Sequence, residues 1–255
     1  MKIRVFAIAC HPDDIEFMMA GTLLLLKAEG CEMHYMNLAD GCLGSTDMTP
    51  AETAAVRKKE AQKAADFLGA SFHESVAHDL EVFYAPDLIK KVTAVVRLIE
   101  PDIMLVPSPE DYMEDHMNTT RIAVTAAFSR GVPNYISDPA VKATGHDVAI
   151  YHAMPYGLCD ELRRRIWPDF YIDIDSVIDK KETMLAFHES QKKWLDTTQG
   201  LDSYLQTMRD MAHKVGEMSK KYQYAEGWRR HSHLGFSRKE ANPLALVLRE
   251  YYLNR

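Results

Sequence analysis

The sequence predicts an α/β fold in which helices cover both faces of a mainly parallel sheet. Over residues 1–155, short apolar runs typical of buried strands alternate with longer segments of helical composition. Strands that are joined by helices in this order pair in parallel, and a parallel sheet has both of its faces covered.

Capping residues and breaks in the apolar pattern give the ends of the predicted elements. Gly30 and Gly131 close two helices, and Thr49 with Pro50 begins another. Strands are expected at residues 3–9, 32–38, 71–76, 102–106, 148–152 and 170–174. Helices are expected at residues 15–28, 50–68, 86–99, 116–130, 176–195 and 201–222. No repeat or long polar linker interrupts the chain, so we expect one domain over residues 1–255, with 156–255 as its C-terminal helical and strand extension.

Composition narrows the functional class. The formal net charge of -7 argues against a nucleic-acid-binding protein, which usually carries a basic face. The basic clusters at residues 163–165 and 229–230 fit a solvated patch, a subunit contact or a contact to an anionic substrate group. The four cysteines form no Cys-x-x-Cys pair, and the longest apolar-rich segment, residues 17–26, is too short to span a bilayer. We therefore expect a soluble, cytoplasmic protein with no membrane or nucleic-acid partner.

Two groups of histidine and aspartate follow predicted buried strands. His11, Asp13 and Asp14 come directly after the first strand, and Asp115 and His116 lie in the segment after the fourth. In a doubly wound sheet these two strands are neighbours and flank the crevice where ligands bind. Each group alone fits a simpler interpretation, a turn with a side-chain hydrogen bond or a helix N-cap followed by a surface histidine. Their placement on adjacent strand ends favours a shared site.

The residue types in these groups suit a catalytic zinc ion. Such a site takes three protein ligands and leaves one position open for water. His11 and Asp14 are three residues apart across a turn, so both can face one point, and the pair of Asp115 and His116 reaches the same crevice. Asp13 lies between them and need not ligate, so it is a candidate general base beside a metal-bound water. Nickel, cobalt and ferrous iron accept similar ligands. Cys10 is adjacent, and we interpret it as a small buried residue that ends the strand.

The sequence then resembles the PIG-L/LmbE family of zinc-dependent N-deacetylases over most of its length. The similar segments are residues 9–16, 21–23, 38–44, 68–69, 115–116, 173–175, 190–191 and 224–228, with Arg57, Glu60, Lys181 and His188. The resemblance implies a Rossmann-like fold and hydrolysis of an N-acetyl group, usually on an N-acetylglucosamine derivative. It also implies ligation by His11, Asp14 and His116, general-base catalysis by Asp13, a substrate contact from Arg57, and assembly as a homotrimer or homohexamer.

Met113 departs from the family pattern. Family members commonly carry Asp-Tyr-His-x-Asp-His, in which the first histidine stabilises the oxyanion or protonates the leaving amine. This chain has Met113 at that position, and methionine donates neither a proton nor a hydrogen bond. Loss of one such donor typically costs ~10²–10³ in rate. Tyr112 and His152 are the candidates for a replacement, although His152 also fits a partly buried structural histidine.

These observations predict an amide hydrolase that deacetylates a sugar-like or other N-acylated small substrate by attack of a zinc-bound water. The alternative is a catalytically weak relative that keeps the metal and binds a small molecule. A nucleotide-binding Rossmann protein is disfavoured, because His11 to Asp14 occupy the turn where Gly-x-Gly-x-x-Gly would follow the first strand.

Overall fold

A computed structural model describes residues 2–199 and 204–255. The strands are β1 (Arg4–Ala9), β2 (Glu32–Asn37), β3 (Ser71–His73), β4 (Ile103–Val106), β5 (Ala149–Ala153), β6 (Phe170–Asp173), β7 (Ala225–Arg230) and β8 (Tyr252–Asn254). The helices are α1 (Asp14–Ala28), α2 (Pro50–Leu68), α3 (Pro86–Ile99), α4 (Glu114–Ser129), α5 (Ile178–Leu185), α6 (Glu189–Gln199), α7 (Tyr204–Ser219) and α8 (Pro243–Val247).

One eight-stranded sheet runs through these residues in the order β3-β2-β1-β4-β5-β7-β6-β8. The pairs from β3 to β5 are all parallel, which confirms the predicted fold class. The pairs made by β6, β7 and β8 are antiparallel and continue the same sheet. The chain turns from β1 toward β2 on one side and toward β4 on the other. The crevice between the ends of β1 and β4 is therefore the expected ligand site.

Residues of β1 alternate between two apolar cores, one on each face of the sheet. Val5, Ala7 and Ala9 pack with α1, α2, α5 and α7, whereas Phe6 and Ile8 pack with α3 and α4. This alternation follows from the two-residue repeat of a strand. It fixes β1 in the middle of the molecule, so the residues that follow Ala9 leave a rigid, fully buried support.

The capping signals at α2 are confirmed. The Thr49 side chain accepts a hydrogen bond from the Glu52 backbone N–H, and Glu52 accepts one from the Thr49 backbone N–H. Gly69 ends the helix in the left-handed region at φ +68°. Among the residues that the structure describes, no helix combines the length and apolar character needed to cross a membrane.

The helix predicted over residues 176–195 is wrong as a single element. A short 3₁₀ turn at Asp175–Val177 leads into α5. The helix is then interrupted between Leu185 and Glu189, where α6 begins. The break buries His188 beside Glu16, with 3.3 Å between Nε2 and Oε2. The predicted helix over residues 201–222 is described from Tyr204 to Ser219, and residues 201–203 lie outside the described part of the chain.

Candidate metal centre

The structure brings His11, Asp14 and His116 together at the ends of β1 and β4. One ligand atom from each residue lies within 4.8 Å of the other two. Asp14 Oδ2 is 3.6 Å from His11 Nδ1 and 3.4 Å from His116 Nε2. His11 lies in the turn after β1, Asp14 begins α1 and His116 lies in the first turn of α4. Neighbouring strands in the sheet thus place residues distant in sequence around one point.

Two further carboxylates hold the ligand imidazoles from behind. His11 Nε2 is 3.3 Å from Asp115 Oδ2, and His116 Nδ1 is 3.1 Å from Asp111 Oδ1. Each imidazole therefore directs one nitrogen toward Asp14 and the other toward a carboxylate. In metal sites this arrangement fixes the tautomer and the ring orientation, and makes the ligand nitrogen more basic.

The electrostatics of the cluster favour a cation. Burial raises the pKa of Asp14, but nearby His116 and His11 outweigh it and hold that pKa well below its usual range. Burial lowers the pKa of His116, but Asp14 and Asp111 raise it by more. With several buried carboxylates around two imidazoles, the site retains protons, and a divalent cation would supply the same positive charge. Two imidazoles and one carboxylate also match the donor set of zinc centres.

Cys10, His11 and Asp115 form an overlapping cluster that could also hold a metal ion. It involves Nε2 of His11, the ring nitrogen that lies away from Asp14, and Cys10 Sγ is 3.6 Å from that nitrogen. The first cluster fits a reaction centre better, because His11, Asp14 and His116 line a cavity whereas Cys10 and Asp115 do not. A substrate therefore has access to the first cluster alone.

Asp13 belongs to none of the candidate ligand groups and is held by other side chains. It precedes α1 with φ +109°, a conformation rare for residues other than glycine. Its carboxylate accepts a hydrogen bond from the Tyr204 hydroxyl and lies 3.3 Å from Arg57 Nη2. Burial raises the pKa of Asp13, while Arg57 opposes that shift. The unusual backbone places this carboxylate at the cavity wall beside the ligand cluster.

Arg57 lies 2% exposed and binds protein groups. Its guanidinium donates to the carbonyl oxygens of Pro12 and Gly41 as well as to Asp13. A Cβ at Gly41, where φ is +77°, would lie 2.7 Å from Arg57 Cδ, so this loop needs glycine to approach the arginine. The structure thus connects Arg57 chiefly to Asp13 and the adjoining loops, while one edge of it reaches the cavity. Its predicted contact with substrate stays a prediction.

The cavity has a volume of about 730 Å³ and combines the polar cluster with aromatic walls. Its aromatic side chains come from α1, the loop before α4, the segment after β5, α6 and α7. They are Phe17, Tyr112, Tyr156, Trp194 and Tyr204. Among the described lining residues, the carboxylates come from Asp13, Asp14, Asp79 and Glu114, and the one guanidinium comes from Arg57. The space suits a small molecule with apolar surface.

Comparison with known proteins gives a family match for the N-terminal half. Residues 6–127 match the family model described as PIG-L, GlcNAc-PI de-N-acetylase. This part of the chain is therefore similar to a PIG-L family domain. It is 29% identical over 232 residues to the diacetylchitobiose deacetylase of Thermococcus kodakarensis, an alignment covering 89% of this chain and 82% of the relative.

Other similar proteins are hydratases. The 4-oxalmesaconate hydratase of Pseudomonas putida is 28% identical over 183 residues, with 68% of each chain covered. The crystal structure of the 4-carboxy-2-hydroxymuconate hydratase from Pseudomonas putida KT2440 is also similar, with a TM-score of 0.76 at 24% identity. The match covers 95% of this chain and 99% of that one. The structural likeness supports the PIG-L fold, and the sequence likeness shows that relatives include both deacetylases and a hydratase.

Met113 and Tyr112 both line the cavity. Met113 is the N-cap residue of α4. The position at which the resemblance implies a histidine donor therefore lines the cavity with a thioether. Tyr112 packs edge-on against His116, with 5.8 Å between ring centroids and an interplanar angle of 86°. It is the one of the two predicted replacement donors that reaches the cavity.

His152 lies outside the cavity lining. Its Nδ1 is 3.0 Å from the Pro107 carbonyl oxygen and must donate to it, so Nε2 accepts from His231 Nδ1 at 2.9 Å. Both ring nitrogens are thereby engaged at the end of β5, and His152 is 5% exposed. The predicted catalytic role receives no support from this placement, which is that of a histidine anchoring the loop after β4.

The pH dependence of stability tests this structural role. Burial lowers the pKa of His152 to about 4, below the ordinary 6.5 of an unfolded histidine. Its contribution to the stability is complete above pH 6.5 and is lost as the pH falls toward 4, because the unfolded chain binds the proton first. The loss amounts to roughly 3 kcal/mol. Urea unfolding at several pH values should show a steeper fall for the wild type than for His152→Gln. An equal dependence of the unfolding free energy on pH in the two proteins would contradict a buried, neutral His152.

Tyr204 is a cavity residue in contact with Asp13 that the sequence analysis did not single out. It lies at the start of α7, is 5% exposed, and places its hydroxyl on Asp13 across a separation of 191 residues. Nothing in its local sequence signals this contact, because only the packing of α7, which lies against β6 and β7, creates it. The carboxylates behind the imidazoles, Asp111 and Asp115, belong to a predicted motif, but their pairing with His116 and His11 also required the structure.

Proposed function

We propose that this chain is a metal-dependent amide hydrolase that removes the acetyl group from an N-acetylated, sugar-like small molecule. The observation that supports it is a cavity containing the cluster of His11, Asp14 and His116 with a separate carboxylate, Asp13, beside it. Relatives of the chain include a diacetylchitobiose deacetylase. The donor set favours zinc over the other divalent ions that accept it. When bound, such an ion would supply a Lewis acid and a more acidic water.

Asp13 is the residue proposed to move the proton. In amide hydrolysis a water oxygen bonds to the carbonyl carbon, the carbon–nitrogen bond breaks, and the nitrogen leaves as an amine. Asp13 would take the proton from the water and return it to the leaving nitrogen. Arg57 and Tyr204 hold its two oxygens, so the carboxylate stays oriented toward the cavity. Asp111 and Asp115 keep the two imidazoles in place.

The charge of the cavity supports a neutral substrate whose product is an amine. Four carboxylates line the space, and Arg57 is engaged by protein oxygens. A neutral N-acetyl sugar enters without electrostatic cost, and the product amine is stabilised as an ammonium ion. The aromatic walls offer surfaces for the apolar faces of sugar rings.

Acetate release tests this function directly. Zinc-loaded protein should release equal amounts of acetate and primary amine from members of a panel containing N-acetylglucosamine and diacetylchitobiose. Asp13→Asn, loaded in the same way, is the control for contaminating activity. Binding of these sugars without release of acetate would instead favour the alternative of a metal-containing binding protein.

Hydration of a carbon–carbon double bond is the second candidate, and Met113 favours it. Adding water to an alkene bonds the water oxygen to one carbon and a proton to the other, and a base that takes the proton from water can deliver it to that second carbon. No amine leaves, so the donor missing at Met113 matters less. The sequence relative from Pseudomonas putida is a hydratase. A panel of conjugated unsaturated acids would reveal this activity as loss of ultraviolet absorbance without acetate. The carboxylates of the cavity argue against such anions.

Met113→His should raise deacetylation. The position lies three residues before His116 and faces the cavity, so an imidazole there can donate to the carbonyl oxygen or to the leaving nitrogen. We expect a gain of about tenfold or more in kcat/KM for simple N-acetyl sugars. Met113→Leu, which adds no donor, is the matched control. Equal rates in both variants would show that the reaction does not lack a donor at this position.

Tyr204→Phe should lower turnover without removing the metal. The ring keeps its place, and Asp13 loses one charge-assisted hydrogen bond, a change worth about 1.5–3 kcal/mol or roughly 10–100-fold in rate. Tyr156→Phe is the matched control, because Tyr156 lines the same cavity and packs against Phe17 and Tyr112. Similar losses in both variants would mean that any cavity hydroxyl matters and that the contact with Asp13 has no special role.

A further inference from the structure

A second group of metal-ligating side chains lies outside the centre described above. Asp40 and Cys42 belong to the loop after β2, and His78 belongs to the loop after β3. One ligand atom from each of the three lies within 4.8 Å of the other two. None of them belongs to the cluster of His11, Asp14 and His116, so the two groups can bind independently.

Main-chain contacts hold the two loops together. Ala39 and Ala77 form a parallel bridge, and the Asp40 backbone N–H donates to the Ala77 carbonyl oxygen at 3.1 Å. Asp40 Oδ2 is 2.6 Å from His78 Nδ1, and Asp40 Oδ1 accepts from the Cys42 backbone N–H at 3.1 Å. The three donors are therefore positioned by the backbone before any ligand binds, which lowers the ordering cost of binding.

The donors differ in kind, and that selects the class of ion. A thiolate, an imidazole and a carboxylate together suit zinc and cobalt, whereas magnesium and calcium prefer oxygen donors alone. A cavity of about 480 Å³ opens beside the group and is lined by Asp40, His78 and the acidic residue Glu81. It leaves space for a fourth ligand from Glu81 or from water.

We propose that Asp40, Cys42 and His78 form a second divalent-cation site of the zinc and cobalt class. An ion there would replace the proton between Asp40 and His78 and bring in the Cys42 sulfur. Binding must also displace the proton of the Cys42 thiol. The His78 side chain is largely exposed, whereas His11 and His116 are buried, so we expect this site to bind more weakly than the centre at His11, Asp14 and His116.

The position of the site suggests what occupancy does. Asp79, next to His78, accepts hydrogen bonds from the backbone N–H groups of Gly41 and Leu43 and lies 3.9 Å from His11. Leu43 also lines the large cavity. A cation that ties together the loops after β2 and β3 would thus stiffen one wall of the proposed reaction centre. The existence of the second site does not depend on the proposed activity.

Cobalt titration of the metal-free protein tests the site, because thiolate sulfur bound to Co²⁺ gives a near-ultraviolet charge-transfer band that imidazole and carboxylate ligands lack. We expect the protein to bind about two equivalents of Co²⁺ per chain. The charge-transfer band should appear as the second, more weakly bound equivalent is added. His78→Gln and Cys42→Ser should each lose the weaker equivalent and the band. His116→Ala should lose the tighter equivalent and keep the band. The His78 side chain is largely exposed, so His78→Gln should keep the fold. It therefore tests the site even if Cys42→Ser fails to fold.

Cys10→Ser is the decisive control, because Cys10 is the other cysteine close to a candidate ligand. A band that disappears in Cys10→Ser and survives in Cys42→Ser would overturn the proposal in favour of the cluster around His11. A single equivalent of Co²⁺ with no band would also overturn it. So would undiminished binding of both equivalents by His78→Gln.

Discussion

Asp13→Asn should abolish most of the proposed hydrolysis while leaving the metal in place. The amide keeps the shape of the carboxylate and can still accept from Tyr204, but it cannot take a proton from water. Loss of a general base typically lowers turnover by ~10²–10⁴-fold. Because Asp13 is outside the group of His11, Asp14 and His116 and is held by Arg57 and Tyr204, the metal content should stay at the wild-type level.

Asp115→Asn is the variant to compare with it. Asp115 lies 3.3 Å from His11 Nε2 and orients that imidazole without lining the cavity. Its loss should weaken metal affinity by about 10–100-fold, and an excess of metal should restore turnover. Excess metal should not rescue Asp13→Asn. If Asp13→Asn also loses its metal, Asp13 is a ligand, and near-normal turnover would end its assignment as the base.

The convergence of the candidate metal ligands could be predicted because it follows from topology. A histidine and an aspartate directly after an apolar strand occupy a strand end, and β1 and β4 are neighbours in a doubly wound sheet. His11, Asp14 and His116 could thus be placed together before any distance was known. The same reasoning predicted the parallel half of the sheet, where strand and helix periodicities differ clearly.

Two features of the C-terminal half were not predicted, because tertiary contacts there override the secondary-structure preference of the local sequence. β7 contains Glu226 and Gly227 and shows no clear strand alternation, so it was not recognised as a strand. Glu226 is buried there because it accepts from the backbone of Gly21 and Thr22 and pairs with Lys181. The helix break before α6 likewise depends on His188 meeting Glu16.

The same limit applies to side-chain contacts at the site. His152 follows a predicted strand, which favoured a place at the crevice, whereas its two nitrogens are engaged by Pro107 and His231. Its catalytic role stays a prediction. The direction of a side chain at a strand end depends on pairing register, which the local pattern of β5 does not fix. Tyr204 reaches Asp13 only through the packing of a distant helix.

Alanine at the two histidine ligands should remove the metal of the reaction centre and, with it, the proposed activity. His11→Ala and His116→Ala each leave two of three ligands, and a zinc site with a missing ligand no longer closes around the ion. Metal content should be measured in a Cys42→Ser background, so that the proposed second site adds nothing to the total. About one equivalent per chain should then be present with both histidines intact and most of it lost in either variant.

The two variants together also decide which cluster binds the ion. His11 belongs both to the cluster with Asp14 and His116 and to the cluster with Cys10 and Asp115. His116 belongs to the first alone, so metal that survives His116→Ala and is lost in His11→Ala would place the ion on the Cys10 side of the imidazole. That side does not line the cavity, and a metal there could not reach a substrate. Loss of metal in both variants, with Cys10→Ser unaffected, is the result that a reaction centre built on His11, Asp14 and His116 requires.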